Sequence, residues 1–262
     1  VAIPKSHGIA LKKKHGQNFL RDESIIFAML DRVRLTHTTS VFEIGPGDGF
    51  LTQFILESPI ARLWSFEIDH EWVSHLRKRF EGNPHFKIFE ANILDVDFSI
   101  FEEHKPWTLL ANLPYHVTFP ILHRLKEHRH LLTEGVIMVQ EEVAQKIVKK
   151  GGRDYGFVSL YFQHYFDWEL LAKVARSAFY PAPKVYSRLM YFKPKMHLDE
   201  IPQEQEFWKF VKMCFRQPRR TLKNNLAQGH YDIHKIPEEI LALRAQQIDK
   251  HQLLQLWKML IA

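Results

Sequence analysis

Apolar positions along this chain fall into two kinds of run. Short unbroken stretches of strand length alternate with segments whose apolar residues recur every three or four positions. The first kind predicts strands at Val41-Phe42-Glu43-Ile44 and over residues 61–66, 85–89, 107–111 and 135–139. The second predicts helices over 22–33, 50–56, 69–80, 117–126 and 141–148; in the first of them Ile25, Ile26, Met29, Leu30 and Val33 share one side and Asp22 stands at the N-cap position. Residues 155–165 read as a further helix, and 169–176 and 185–192 as an antiparallel edge pair of strands. This alternation predicts an α/β domain, a sheet with helices on both faces. It stops at Lys193-Pro194-Lys195, beyond which only helical patterns follow, over 203–215, 221–226, 237–243 and 249–260. The expected division is a sheet domain at 1–195 and a small all-helical domain at 196–262.

Composition narrows the class. The hydrophobic fraction of 45% is that of a globular protein, and no uncharged apolar run reaches eighteen residues. The basic start of the chain lacks the apolar stretch of a secretory signal, so a soluble, cytoplasmic protein without membrane contact is expected. The single cysteine, Cys214, excludes an internal disulfide, and the sixteen histidines show no metal-binding spacing, so no metal is expected. A net charge of +6 favours a polyanionic partner. The charge is concentrated at Lys12, Lys13 and Lys14 near one end and at Arg216, Arg219, Arg220 and Lys223 near the other, the candidates for RNA phosphates; a solvated charged face is the plain alternative. On a helix running from residue 218, Arg219, Arg220 and Lys223 would share a side.

Two stretches carry chemistry. The first strand ends in Gly45-Pro46-Gly47-Asp48-Gly49, where missing Cβ atoms allow a sharp turn and close approach of a ligand, and the helix that follows offers free N–H groups to an anion. Glu67 closes the second strand about twenty residues later, the place of a ribose-binding acid in α/β nucleotide sites. A solvated strand-end charge is the alternative for Glu67. The second stretch, Asn112-Leu113-Pro114-Tyr115, ends the fourth strand. The Asn112 amide oxygen and the Leu113 carbonyl suit the two hydrogens of an exocyclic adenine nitrogen, whose lone pair would then be less delocalised and more nucleophilic. Pro114 stiffens the turn, and Tyr115 offers a ring on which a base stacks. In isolation this tetrapeptide would read as an ordinary turn.

These motifs, with His15-Gly16-Gln17-Asn18-Phe19-Leu20, Glu67-Ile68-Asp69, Tyr155-Gly156, Phe179-Tyr180-Pro181-Ala182-Pro183-Lys184-Val185 and Arg219-Arg220-Thr221-Leu222-Lys223-Asn224-Asn225-Leu226, resemble the small-subunit ribosomal RNA adenine N6,N6-dimethyltransferases of the kasugamycin-resistance type. The resemblance covers essentially the whole chain. It implies a Rossmann-like S-adenosylmethionine-dependent methyltransferase sheet, S-adenosylmethionine as cofactor, and small-subunit ribosomal RNA or a precursor particle as partner of a monomeric enzyme. By the same resemblance Gln17, Asn18, Leu20, Gly45, Gly47, Glu67, Asn92 and Asn112 bind the cofactor, and Phe179 faces Tyr115 across the target adenine. N6 would attack the sulfonium methyl directly, twice for two methyl groups. Asn92 departs from the family's aspartate: its oxygen still accepts a hydrogen bond, but the charge is gone, and capping its own loop is the alternative. Three other readings stay open: a large-subunit methylase of the erythromycin-resistance type, a non-catalytic assembly or transcription factor of the same fold, and a nicotinamide dehydrogenase, which would need a longer glycine spacing.

Overall fold

The computed structural model describes residues 5–12 and 17–262. Strands β1 (Lys5–Ser6) and β2 (Ile9–Ala10) pair antiparallel, β3 (Phe19–Leu20) follows, and helix α1 (Glu23–Leu30) opens on Asp22, whose carboxylate caps the Ser24 N–H. The alternation then runs β4 (Ser40–Ile44), α2 (Phe50–Glu57), β5 (Arg62–Glu67), α3 (His70–Arg79), β6 (Phe86–Glu90), β7 (Trp107–Asn112), α4 (Thr118–Glu127), β8 (Leu132–Gln140) and α5 (Glu141–Val148). After α6 (Phe157–Tyr165), β9 (Phe166–Val174), β10 (Phe179–Tyr180) and β11 (Ser187–Pro194) come the helices α7 (Glu204–Cys214), α8 (Leu222–Leu226), α9 (Glu238–Leu241) and α10 (Lys250–Ile261).

The chain divides into two units, residues 1–144 with 168–194 and residues 145–167 with 195–262. A single boundary at 195 therefore misplaces residues 145–167, which group with the C-terminal helices. The reason lies in the rings of α6: Tyr161 meets Trp208 of α7 edge-on at 5.0 Å, and His164 lies 5.4 Å from the same indole. Periodicity shows that α6 is apolar on one side but not which unit that side joins.

In the first unit seven strands form one sheet in the order β6-β5-β4-β7-β8-β11-β9. β6, β5, β4, β7 and β8 run parallel, whereas β11 pairs antiparallel with β8. Parallel strands covered on both faces read as unbroken apolar runs, which is why their sequence signal is strong. On one face Val41, Leu63, Leu110, Val136, Met138 and Leu189 pack with Ile26 and Met29 of α1 and Leu51 and Ile55 of α2. The alternate residues Phe42, Trp64 and Phe66 meet Phe101, from the 3-10 helix Phe98–His104, on the other face.

The register opens the site. β4 pairs with β5 over Ser40–Ile44 but with β7 only from Ser40 to Phe42. Past Phe42 the two central strands part, and strand order reverses at this same pair, so the crevice where open α/β sheets bind ligands falls beyond Ile44 and Asn112. Gly135 keeps the neighbouring strands close: a Cβ there would lie 2.6 Å from Phe192 and 2.8 Å from the Leu109 carbonyl oxygen. Gly135→Ala should cost about 1–3 kcal/mol and lower the melting temperature by several degrees. An unchanged melting curve would mean that the sheet yields there without cost.

Candidate active site

All three turn glycines adopt positive φ: Gly45 at 67°, Gly47 at 57° and Gly49 at 81°. Space is short as well at two of them, since an added Cβ would sit 2.5 Å from Phe19 at Gly47 and 2.4 Å from Leu76 at Gly49. The turn so formed delivers the Gly47 N–H to the Glu67 carboxylate at 3.2 Å, and the same carboxylate accepts from the N–H groups of Ile68 and Asp69, each at 2.9 Å. Glu67 is thus a buried acid gathering three backbone donors, not a solvated strand-end charge. Burial pushes its carboxyl above the ordinary range against the pull of those three N–H groups.

Asp69 caps α3 through the Glu71 N–H and also holds the segment before β3. Lys12 Nζ lies 2.6 Å from Asp69 and 2.6 Å from Glu71, while Gln17 donates to Asp69 at 3.1 Å and accepts the Lys12 backbone N–H at 2.7 Å. Burial alone would raise the Asp69 carboxyl, but the Lys12 and Gln17 contacts outweigh it and hold the group below its ordinary value. Lys12, expected on a phosphate-binding face, is an ion-pair partner of Asp69 and Glu71 within the sheet unit. Lys13 and Lys14, like His15 and Gly16, lie outside the described residues.

One cavity is lined by Gln17, Asn18 and Phe19, by Gly45 and Gly47, by Glu67 and Ile68, by residues 91–94, and by Asn112, Leu113, Pro114 and Tyr115. Asn112 Nδ2 points to the Asn18 carbonyl at 3.4 Å, which leaves Oδ1 as the acceptor its amide offers a ligand. The Leu113 N–H is tied to the Met138 carbonyl at 3.1 Å and its side chain is buried, so the carbonyl is what this residue can present. The Tyr115 hydroxyl meets the hydroxyl of Ser187, the buried first residue of β11. Burial raises that phenol further, so it stays protonated at neutral pH. Asn92 both lines the cavity and closes its loop, accepting from the Leu94 N–H at 3.1 Å and donating to Asp95 at 2.8 Å.

Two expected residues are not brought to this cavity. Leu20 is 5% exposed and packs in the core with α1 and α2, and Phe179 is likewise 5% exposed in the same core. Their strands explain it: β3 and β10 pair antiparallel with Leu20 opposite Phe179 and Tyr180 opposite Phe19. Successive residues of a strand face opposite ways, so Phe179 turns inward while Tyr180 stands 48% exposed. Facing Tyr115 across a base is thus not the place the structure gives Phe179. Ser187 is the contact that sequence reasoning missed; nothing local marks a serine at a strand start as the partner of a tyrosine seventy residues away.

In the helical unit Arg216 and Arg219 line a wide groove together with Lys146, Arg153, Lys212 and Arg244, basic residues of which only the first two were anticipated. Arg219 and Arg220 sit in the turn ahead of α8, which begins at Leu222 behind its Thr221 cap, so the helix from residue 218 is not formed. Buried Asn225 fixes that turn, donating to the carbonyls of Cys214 and Gln217 and accepting the Gln217 N–H at 3.1 Å. Arg216, Arg219 and Arg220 are exposed, whereas Lys223 is paired with Glu238 at 2.7 Å.

A sheet reversing at the β4/β7 crevice, a glycine turn bound to a buried acid, and a polar Asn-Leu-Pro-Tyr tip define a Rossmann-like methyltransferase. More narrowly, residues 8–261 match the ribosomal RNA adenine dimethylase family, and the chain belongs to it. It is 37% identical over 240 residues to the ribosomal RNA small subunit methyltransferase A of Prosthecochloris aestuarii, covering 91% of this chain and 89% of that one. Among solved structures the fold resembles a dimethyladenosine transferase from Plasmodium falciparum, with a TM-score of 0.75 and 22% identity over 90% of this chain and 95% of that one. It also resembles the 23S rRNA methyltransferase ErmE, with a TM-score of 0.71 and 24% identity over 94% of this chain and 100% of that one.

Behind the glycine turn lies a second buried acid. Glu43 accepts hydrogen bonds from Thr52 at 2.8 Å and Ser65 at 2.9 Å, and burial pushes its carboxyl up to about 7. The unfolded chain releases this proton from about pH 4.5, the folded chain only near 7. Over that window the unfolded state binds fewer protons, so stability declines as pH rises through it and levels off above. The decline is roughly 3 kcal/mol. Glu43→Gln should melt close to wild type near pH 4.5 and above it at pH 8. A difference independent of pH would show that Glu43 is ionised throughout.

Proposed function

We propose that this protein dimethylates adenosine N6 in small-subunit ribosomal RNA, using S-adenosylmethionine, during ribosome maturation. The observation that carries the reading is the Asn112–Tyr115 turn at the mouth of the crevice, with Asn112 Oδ1 and the Leu113 carbonyl as paired acceptors beside the glycine turn. Family membership and the small-subunit names of relatives that are 34–37% identical support ribosomal RNA as the substrate.

The cavity fits the cofactor's chemistry. Gly45 leaves open backbone where a side chain would stand, Glu67 supplies an acceptor for ribose hydroxyls, and Ile68 and Ile93 offer apolar surface to an adenine. Gln17, Asn18, Asn92 and Asn112 complete the polar lining. Bound there, S-adenosylmethionine supplies an electrophilic methyl group. Asn112 and Leu113 orient the N6 amine by accepting its hydrogens, and Tyr115 holds the base by stacking, worth about 1–3 kcal/mol. Alignment is the main lever, worth roughly 7–11 kcal/mol against a few to extrude the base. None of the helices among the described residues is long and apolar enough to cross a membrane, and we place the protein in the cytoplasm as a monomer that meets its particle there.

The purified protein should transfer labelled methyl groups to small subunits lacking the modification, and Glu67→Ala should weaken cofactor binding at least tenfold by removing the ribose acceptor. Transfer to large-subunit RNA alone would overturn the substrate, and unaltered binding by Glu67→Ala the role of Glu67.

The groove arginines Arg216 and Arg219, with Arg220 exposed in the same turn, are proposed to hold RNA phosphates without touching the chemistry. Arg219→Ala and Arg220→Ala should each reduce the salt slope of RNA binding by a little under one. Lys223→Ala should leave the slope alone, because its charge is already paired with Glu238. Slopes and affinities unchanged from wild type in Arg219→Ala and Arg220→Ala would remove this face from the RNA surface.

A further inference from the structure

The segment from Tyr180 to Tyr186 is exposed in most of its length, yet both ends are tied to the cavity. At one end Tyr180 pairs with Phe19, a cavity residue; at the other, Ser187 meets the hydroxyl of Tyr115. Between these anchors Tyr180 is 48%, Val185 43% and Tyr186 46% exposed. Two cations stand over the Tyr186 ring, Lys173 Nζ at 4.4 Å and Arg176 Cζ at 5.7 Å from its centroid, and both side chains are exposed, as is Lys184. The Tyr186 backbone is held still, its carbonyl accepting the Glu141 N–H at 3.0 Å.

Exposed aromatic rings with clustered positive charge suit a partner that is both flat and anionic. Single-stranded RNA has that chemistry: each base offers a π-face and each linkage a phosphate. We propose that Tyr186, with Lys173 and Arg176, is a stacking platform for the nucleotide next to the target adenosine, and that Tyr180 and Lys184 extend it along the strand. The inference rests on the reading of the substrate as an adenosine in RNA. An adenosine extruded into the cavity leaves its neighbours unstacked, and a platform anchored to Tyr115 through Ser187 would catch one of them in fixed relation to the reacting base. The same pair of cations would neutralise the phosphate between the two nucleotides.

The test compares Tyr186→Ala, Tyr186→Phe and Lys173→Ala with wild type. Three quantities are measured: kcat and KM on under-methylated small subunits, melting temperature, and fluorescence quenching of a single-stranded oligoribonucleotide carrying 2-aminopurine beside one adenosine. Tyr186→Ala should raise KM about tenfold and remove most of the quenching, with kcat within about twofold and melting unchanged, whereas Tyr186→Phe keeps both. Lys173→Ala should lower the salt slope of oligonucleotide binding by about 0.7. An active wild type whose KM and quenching are indifferent to Tyr186→Ala overturns the platform, as does a loss that only follows a lowered melting temperature. Quenching that depends on Tyr186 in a protein that methylates no small subunit keeps the platform and overturns the proposed substrate.

Discussion

The site depends on one buried carboxylate. Glu67 ends β5, yet its oxygens collect N–H groups from two turns: Gly47 after β4, and Ile68 and Asp69 after β5 itself. A carboxylate has about four acceptor positions, so three backbone donors leave it capacity for a ligand hydroxyl. Removing it would leave buried N–H groups without a partner, at about 1–3 kcal/mol each. The three turn glycines all take positive φ, a conformation open to glycine without the cost a Cβ would bring.

From that carboxylate the order spreads outward through shared residues. The N–H that Asp69 gives to Glu67 fixes the start of α3, and the Asp69 side chain in turn caps that helix and holds Lys12 and Gln17. Phe19, next along, places its ring where a Cβ on Gly47 would be, against Trp72 of α3 edge-on at 5.0 Å. Arg21 reaches Asp48 in the glycine turn, and Arg79 donates to the Asp48 carbonyl at 2.8 Å. The segment before α1 therefore belongs to the site physically, although it is remote from the crevice in sequence.

What the sequence made legible is what is local. The strands and helices of the parallel sheet, the cap Asp22 and the glycine turn each follow from a handful of adjacent residues. The motifs Glu67-Ile68-Asp69 and Asn112–Tyr115 were legible for the same reason, and Glu67, Ile68 and residues 112–115 line the cavity. The two-residue pairing of β3 with β10 was not, since it joins residues some 160 positions apart and is too short to leave a periodic trace. It alone decides that Phe179 faces the core and Tyr180 the solvent. The Lys223–Glu238 pair and the return of residues 145–167 to the helical unit are likewise contacts between distant segments. Composition counts such charges and rings without saying which are already spoken for.

The same logic bears on Asn92, which by the resemblance stands where an aspartate is usual. Its amide is bound at both ends within its own loop, to Leu94 and Asp95, so its first contribution is the shape of the turn that brings Ile93 to the cavity. A carboxylate there could accept the Leu94 N–H equally well but would meet Asp95 as a like charge at hydrogen-bond distance, where the amide instead donates at 2.8 Å. Asparagine with Asp95 is thus a self-consistent pair. The amide oxygen of Asn92 keeps a second lone pair for a ligand.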